Sequence, residues 1–145
     1  MARRYKFKAR PFESAGTFKD INGTERKDTS ANIYESMLLS AAYQDLKPRQ
    51  QQLYVICKAQ YYGKKKPRED YKDIDKFKAD DLFYLNWSNV LHYGLYTQTM
   101  KKEFYGDMKV LVDHGFIDVY VKGGRGKQKS IYKYSDKWRS WTKKV

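Results

Sequence analysis

A short helical pattern, a glycine and a longer amphipathic pattern follow one another over residues 86–114. This succession constrains the fold more than any other feature of the chain. Residues 86–93 predict a short helix, which Asn86 or Ser88 can cap. Gly94 ends that helix, and Thr97 is predicted to cap a second helix that runs to His114 before Gly115. A short helix, a glycine turn and a second helix in this order are the pattern of a helix-turn-helix.

The second helix is predicted to have two faces. Its apolar residues recur at helical spacing and predict a core face, made of Phe104, Met108, Leu111 and Val112. Polar and aromatic side chains occupy the other face, namely Gln98, Lys101, Lys102, Tyr105 and Lys109. Gly106 is unexpected here, because glycine inside a helix costs about 1 kcal/mol relative to alanine. We expect it to allow a close backbone contact.

The elements around this segment complete a small mixed fold. Residues 31–62 are predicted to be helical with a break at Lys47-Pro48, because proline suits the first turn of a helix. The inward residues predicted for the first of these helices are Ile33, Met37, Leu38, Ala41, Ala42 and Leu46. Residues 82–85, 116–122 and 130–134 predict strands. The predicted fold class is therefore mainly α with a small antiparallel β-sheet (α+β).

Three regions are predicted along the chain. Residues 1–30 form a flexible basic arm with a possible hairpin, in which 17–21 pairs with 24–28 across the Asn22-Gly23 turn. Residues 31–135 form the folded domain, which includes a charged connector over 63–80. Residues 136–145 form a tail that packs on the domain, because Trp138 and Trp141 are three residues apart and can share a helical face.

Positive charge is concentrated in blocks. The net charge is +13, and residues 1–10 carry five bases and no acid. Residues 64–68 carry four bases, and residues 97–145 carry 12 bases against 5 acids. Such a distribution is typical of a polyanion-binding surface, with a plain solubilising surface as the alternative.

The sequence offers little for catalysis. Its two histidines, His92 and His114, fall on different predicted helices, and the single cysteine, Cys57, lies in an apolar stretch. A zinc site therefore lacks ligands, and Cys57 is predicted to be a core residue. We expect no enzyme activity, no metal and no cofactor. The chain has no apolar run of membrane-spanning length and no signal-peptide pattern, so a cytoplasmic location is expected.

From residue 48 onward the predicted order is helix, strand, short helix, turn, long helix, strand, basic loop, strand. Over residues 48–135 this order resembles the winged helix-turn-helix family. The resemblance implies that the long helix enters the major groove of duplex DNA, where Gln98, Thr99, Lys101, Lys102, Tyr105 and Lys109 are the candidate contacts. The glycine-rich hairpin tip is the implied wing, in which Arg125, Lys127 and Lys129 would lie along the phosphate backbone or reach into the minor groove. Arg3, Arg4 and Lys6 of the arm are further candidates.

A second resemblance concerns two shorter segments. Residues 37–50, with Leu38-Leu39-Ser40, and residues 113–118, with His114-Gly115-Phe116, resemble winged-helix domains of replication initiators and accessory proteins of plasmids and conjugative elements. This implies a sequence-specific, non-catalytic accessory or regulatory protein of a mobile genetic element, acting in conjugation or plasmid replication. It would be a monomer or a homodimer, with other proteins of a transfer or replication complex as possible partners. A protein-interaction module and a single-stranded nucleic acid or RNA binder are the alternatives.

Overall fold

The computed structural model describes residues 9–20, 22–28, 30–60, 82–123 and 130–144. The chain divides into two units, Met1–Ser30 and Ala31–Val145. In the first unit, strand β1 (Thr17–Lys19) pairs antiparallel with β2 (Glu25–Lys27). The Asp20 carboxylate closes the turn by accepting hydrogen bonds from the backbone N–H groups of Asn22 and Thr24, each at 2.9 Å. The predicted hairpin is confirmed, with strands shorter than expected.

The second unit contains helices and one three-stranded sheet. In chain order its elements are α1 (Glu35–Leu38), α2 (Ala41–Asp45), α3 (Pro48–Ala59), β3 (Leu82–Phe83), α4 (Trp87–Val90), α5 (Lys101–Asp113), β4 (Ile117–Val121) and β5 (Ile131–Tyr134). The strand order is β3-β5-β4, and both pairings are antiparallel. Single 3-10 turns cover Leu91–Tyr93 and Lys137–Ser140. The coarse part of the predicted class, α+β with antiparallel pairing, is confirmed, and the described residues form two small sheets where one was predicted.

The helical prediction over residues 31–62 is partly wrong. Pro48 does begin α3, as expected. Upstream, however, two short helices replace one, because Ser40 adopts an extended backbone with ψ 149°. Its hydroxyl oxygen accepts a hydrogen bond from the Tyr43 N–H at 3.1 Å and so caps α2. The break rotates Leu38 away from the core, so this predicted inward residue is 40% exposed, and the predicted inward residues Ile33 and Ala41 are exposed as well.

The core of the second unit lies between α3, α5 and the sheet. Its largest fully buried side chains are Phe83, Phe104, Phe116, Leu53, Leu85 and Leu111. Aromatic rings make much of the contact: Tyr54 lies 4.7 Å from Phe116, and Phe83 stacks on Tyr134 at 4.4 Å between ring centroids. Cys57 is fully buried as predicted, and burial raises the pKa of its thiol. The thiolate form is therefore disfavoured.

The sheet buries side chains on both faces. Successive strand residues point to opposite sides, so Phe83 joins the main core while Leu82 and Tyr84 form a second buried cluster with Ile131. The β4–β5 pairing contains an irregularity between Val119 and Val121. Among the described residues, no helix is long and apolar enough to cross a membrane.

The C-terminal segment lies against the end of α5. The Trp138 ring stacks on Phe116, with the two rings only 10° from parallel. The backbone N–H of Trp138 donates to the Gly115 carbonyl at 3.0 Å. Gly115 has φ +82°, and an added Cβ would lie 2.6 Å from the Trp138 nitrogen. Glycine is therefore required there both by the backbone conformation and by the close approach of the segment.

Candidate nucleic-acid interface

The turn between α4 and α5 sets the position of the candidate contact helix. The Asn86 side chain caps α4 by accepting from the Asn89 N–H at 3.0 Å, which confirms one of the two predicted caps. A 3-10 turn extends the helix to Tyr93, and Gly94 then takes φ +74°, a left-handed conformation that favours glycine. Val90 is fully buried, and Trp87 packs against the core. The buried Val90 and Trp87 hold α4 in place, and the conformation of Gly94 sets the direction in which the chain continues towards α5.

The predicted start of α5 is wrong by three residues. Thr97 does not cap the helix; its carbonyl accepts from the Met100 N–H at 3.0 Å and closes a turn. Helical structure begins at Lys101. Gln98 and Thr99 therefore lie in the exposed turn that precedes the helix, and the Thr97 and Thr99 hydroxyls face each other at 3.2 Å. Within the described ranges, the Met100 side chain makes no cap hydrogen bond.

Helix α5 carries an exposed basic face opposite a buried apolar one. Phe104, Met108 and Leu111 are at most 2% exposed. Lys101, Lys102 and Lys109 are exposed, and the Tyr105 side chain is 47% exposed with its ring against Phe104. Glu103 and Asp113 are also exposed, near the two ends of the helix. The face combines cationic donors with one aromatic ring, groups that can contact phosphates and bases.

Beneath this face, a polar cluster fastens α5 to α3 and to the preceding turn. We define the Asp107 cluster as Asp107, Arg49, Gln50 and Tyr96. The Asp107 carboxylate accepts two hydrogen bonds from Arg49, through Nε at 2.6 Å and Nη2 at 3.1 Å. It also accepts from Gln50 Nε2 at 3.2 Å and from the Tyr96 hydroxyl at 2.6 Å. One buried carboxylate therefore joins three segments of the chain.

The charges of this cluster are mutually stabilised. Burial alone would raise the pKa of Asp107, but hydrogen bonds from Arg49, Tyr96 and Gln50 outweigh it and lower that pKa. The bond to Asp107 raises the pKa of the Arg49 guanidinium, and burial followed by the same carboxylate raises that of Tyr96. The pair is thus an ionised carboxylate with a guanidinium, with the neutral phenol as a donor. The geometry of the Asp107 cluster is therefore suited to holding α5 in a fixed position against α3 and the preceding turn.

A second cluster holds the C-terminal end of α5. The His114 ring stacks on Trp141 at 4.4 Å between centroids. Its Nδ1 lies 2.9 Å from the Val110 carbonyl oxygen and its Nε2 lies 2.8 Å from the Asp45 carboxylate. The hydrogen bond to His114 is the main cause of a lowered pKa at Asp45, with Lys143 contributing. The predicted position of His114, at the C-terminal end of the helix, is confirmed.

Part of the predicted wing lies outside the described residues. The hairpin strands are present, and the Gly123 N–H donates to the Ser130 hydroxyl at 2.8 Å where the loop begins. Lys122 is exposed at that point. The predicted DNA contacts Arg125, Lys127 and Lys129 fall outside the described ranges, as do Arg3, Arg4 and Lys6 of the arm.

Sequence reasoning missed the Asp107 cluster. A signal was present, because Asp107 lies three residues after Phe104 and four before Leu111, on the core stripe of α5. An acid on that stripe needs a buried partner. Its partner Arg49 lies 58 residues away in the sequence, so the pairing was not predictable from local patterns.

In the part of the chain that the structure describes, no group of three or more His, Cys, Asp or Glu side chains could hold a metal ion. No family model, no curated protein and no solved structure matches the chain.

Proposed function

We propose that this chain is a winged helix-turn-helix protein that binds duplex DNA sequence-specifically and catalyses no reaction. The observation that carries the proposal is the exposed basic face of α5, which follows the α4 turn and rests on the Asp107 cluster. A helix that reads base edges must present donors at fixed positions, and a buried, charge-paired anchor supplies that rigidity. The α5 face has both properties.

The topology supports the same proposal. Helix α3 precedes β3, helices α4 and α5 lie between β3 and β4, and β5 returns between the other two strands. This chain order is the one on which the resemblance of residues 48–135 to the winged-helix family depends, and it supports the proposal. The resemblance of residues 37–50 and 113–118 to proteins of mobile elements adds an accessory or regulatory role in conjugation or plasmid replication, in the cytoplasm.

Selection of bound sequences from a random duplex pool is the direct test. We expect an enriched motif and a steep fall in affinity with salt, with one counterion-release contribution per phosphate contact. Failure of the chain to bind any duplex at 50 mM salt contradicts the proposal. A palindromic motif would distinguish a homodimer from a monomer.

Single substitutions test the face itself. Lys102→Ala and Lys109→Ala should each weaken binding by about 1–3 kcal/mol if the lysine reads a base, or lower the salt slope by about 1 if it contacts a phosphate. Lys144→Ala removes the same charge from an exposed position outside α5 and is the matched control. Equal losses for Lys102 and Lys144 would indicate generic electrostatic attraction and would contradict recognition by the α5 face.

A second candidate function, a protein-interaction module, is favoured by a different surface. Tyr34 and Leu39 are 66% and 65% exposed, and Leu38 is 40% exposed. Large apolar side chains in such numbers around one short helix are typical of contact surfaces. Replacement of Leu39 by Ser should abolish partner capture without changing DNA binding if this function holds. The third candidate, single-strand binding, is tested by competition between duplex and single-stranded DNA.

A further inference from the structure

Both ring nitrogens of His114 face oxygen atoms that accept hydrogen bonds. Nδ1 lies 2.9 Å from the Val110 carbonyl oxygen, and Nε2 lies 2.8 Å from the Asp45 carboxylate. A carbonyl has no proton to donate, and a carboxylate has none while it is ionised. A neutral imidazole carries one N–H, so its second nitrogen would turn a lone pair towards an oxygen at hydrogen-bond distance. Only the imidazolium, with two N–H groups, satisfies both contacts.

Asp45 stays ionised at the pH values where histidine titrates. The hydrogen bond to His114 is the main cause of its lowered pKa, and Lys143 helps to outweigh the opposing effect of burial. The second carboxylate oxygen, Oδ1, lies 3.5 Å from Lys143 Nζ. The proton between His114 and Asp45 therefore belongs to the ring. The end of α5 favours the same charge, because the last carbonyls of a helix form the negative end of its dipole.

The remaining charged groups on the elements around His114 are paired, stacked or exposed to water. In the described ranges these are Lys137 with Asp118, Arg139 over the Trp138 ring, and the exposed Lys47, Lys109, Asp113 and Lys144. Tyr43 on α2 is neutral near pH 7, because burial raises the pKa of its phenol. Asp45 and Lys143 are therefore the charged groups that the structure places at the ring and at its acceptor.

Residues 141–144 lie on this pair, and we call them the C-terminal strap. The Trp141 ring stacks on the His114 ring at 4.4 Å between centroids, with the two planes 18° apart. Lys143 reaches the Asp45 carboxylate that His114 also contacts. An imidazolium is attracted as a cation to the face of an indole, and a neutral imidazole lacks this attraction. Loss of the ring proton therefore weakens the stacking and sets the ring against Asp45 at the same time.

We propose that the C-terminal strap is a proton-controlled latch, closed on α2 and α5 while His114 is an imidazolium and released when the ring becomes neutral. Histidine changes its charge between about pH 5 and pH 8, so the release falls in the physiological range. The proposal does not depend on DNA binding.

The sign of the pH dependence follows from the protons that each form holds. The closed form is fully favoured below about pH 6.5, where an unpaired histidine is itself charged. As pH rises further, the ratio of closed to open strap falls by up to about tenfold per pH unit, because one proton is lost. At acid pH the contribution of Asp45 is present above the usual 3.8 and is lost as pH falls through its lowered pKa. The strap is therefore closed most tightly between these two limits.

The test uses the full chain, labelled with 5-fluorotryptophan and nitrogen-15, between pH 5.5 and pH 9. The fluorine signal of Trp141, identified with the Trp141→Phe variant, follows the strap. Long-range nitrogen spectra distinguish an imidazolium from a neutral ring at His114. Raising the pH should remove the ring proton and move the Trp141 signal together. The signal of Trp87, which packs beside Phe104 in the core, should stay unchanged.

Three variants isolate the role of the proton. His114→Gln removes the titrating ring, so the Trp141 signal should no longer change with pH. Asp45→Asn presents an amide that can either accept from or donate to Nε2, so the strap should stay closed when the ring is neutral. His92→Gln removes the other histidine, at an exposed position, and should leave the wild-type response unchanged.

Each outcome bears on the latch. Coincident loss of the ring proton and of the Trp141 contact in wild type, absent from His114→Gln and from Asp45→Asn, supports it. A neutral His114 ring beneath an unmoved Trp141 signal overturns it, as does equal movement in wild type and His114→Gln. A Trp141 signal that stays constant up to pH 9 also overturns it. A full pH response in Asp45→Asn overturns it as well, since the carboxylate would then not enforce the second proton.

Discussion

Replacement of Asp107 by alanine tests whether the Asp107 cluster holds α5 in place. The change removes four hydrogen bonds to one carboxylate, of which two come from Arg49. The Arg49 side chain is 37% exposed, so its guanidinium can recover hydration, and its contribution is discounted accordingly. Gln50 and Tyr96 are buried, and each would lose a hydrogen-bond partner. An unsatisfied buried donor costs about 1–3 kcal/mol of the free energy of unfolding.

These contributions add to a loss of about 3 kcal/mol in the free energy of unfolding. The figure is at the lower end of the roughly 3–5 kcal/mol found when one partner of a buried ion pair is removed, because Arg49 reaches water. For a chain of this length it corresponds to a fall in Tm of about 10 °C. Urea unfolding followed by tryptophan fluorescence measures the free energy, since Trp87 packs beside Phe104 in the same core.

Two further variants, one in α5 and one in the turn before it, serve as controls for this test. Asp113→Ala removes an exposed acid from the same helix and should change stability by less than about 0.5 kcal/mol. Tyr96→Phe keeps the ring that lies 5.5 Å from Phe104 and removes only one donor, so it should cost about 1 kcal/mol. If Asp107→Ala loses no more than Asp113→Ala, the cluster does not anchor α5 and the reasoning is refuted.

The lowered pKa of Asp107 also makes stability depend on pH. Because its folded pKa is below the usual 3.8, the stabilisation is fully present above that value and is lost as pH falls through the folded pKa. Urea titrations between pH 5 and pH 2 should therefore fall more steeply for wild type than for Asp107→Asn, and parallel curves would contradict this. Separately, Gly115→Ala should destabilise by at least about 2 kcal/mol, because φ is +82° and the new Cβ would meet the Trp138 nitrogen at 2.6 Å. A thermal melt measures it, and an unchanged Tm would show that the C-terminal segment moves aside.

Elements with local signals were predictable from the sequence. The cap at Asn86, the left-handed Gly94 and the stop at Gly115 each depend on the chemistry of one residue and its neighbours in the chain. The β4 segment carries β-branched alternation, and both β4 and β5 were predicted to within one residue of their bounds. Such features need no knowledge of the fold.

Where a local signal competed with periodicity, the prediction failed. Ser40 sits inside an apolar helical pattern, yet its hydroxyl both donates to the Met37 carbonyl at 2.6 Å and caps α2. Serine competes with the helix for backbone hydrogen bonds, and here the cap prevails. At the start of α5, Thr97 has the chemistry of a cap, but its carbonyl accepts from the Met100 N–H at 3.0 Å and closes a turn, and the helix begins only at Lys101.

The Asp107 cluster shows that the formal charge count of residues 97–145 differs from the charge that these residues expose in the folded chain. Residues 97–145 carry 12 bases against 5 acids, and that count includes Asp107 as a charge that offsets the lysines of α5. In the folded chain Asp107 is 4% exposed and is neutralised by Arg49, which lies outside that segment. Asp118 is likewise paired with Lys137 at 3.3 Å. A count over residues 97–145 therefore misses the neutralisation of Asp107, because its partner Arg49 lies 58 residues away in the sequence.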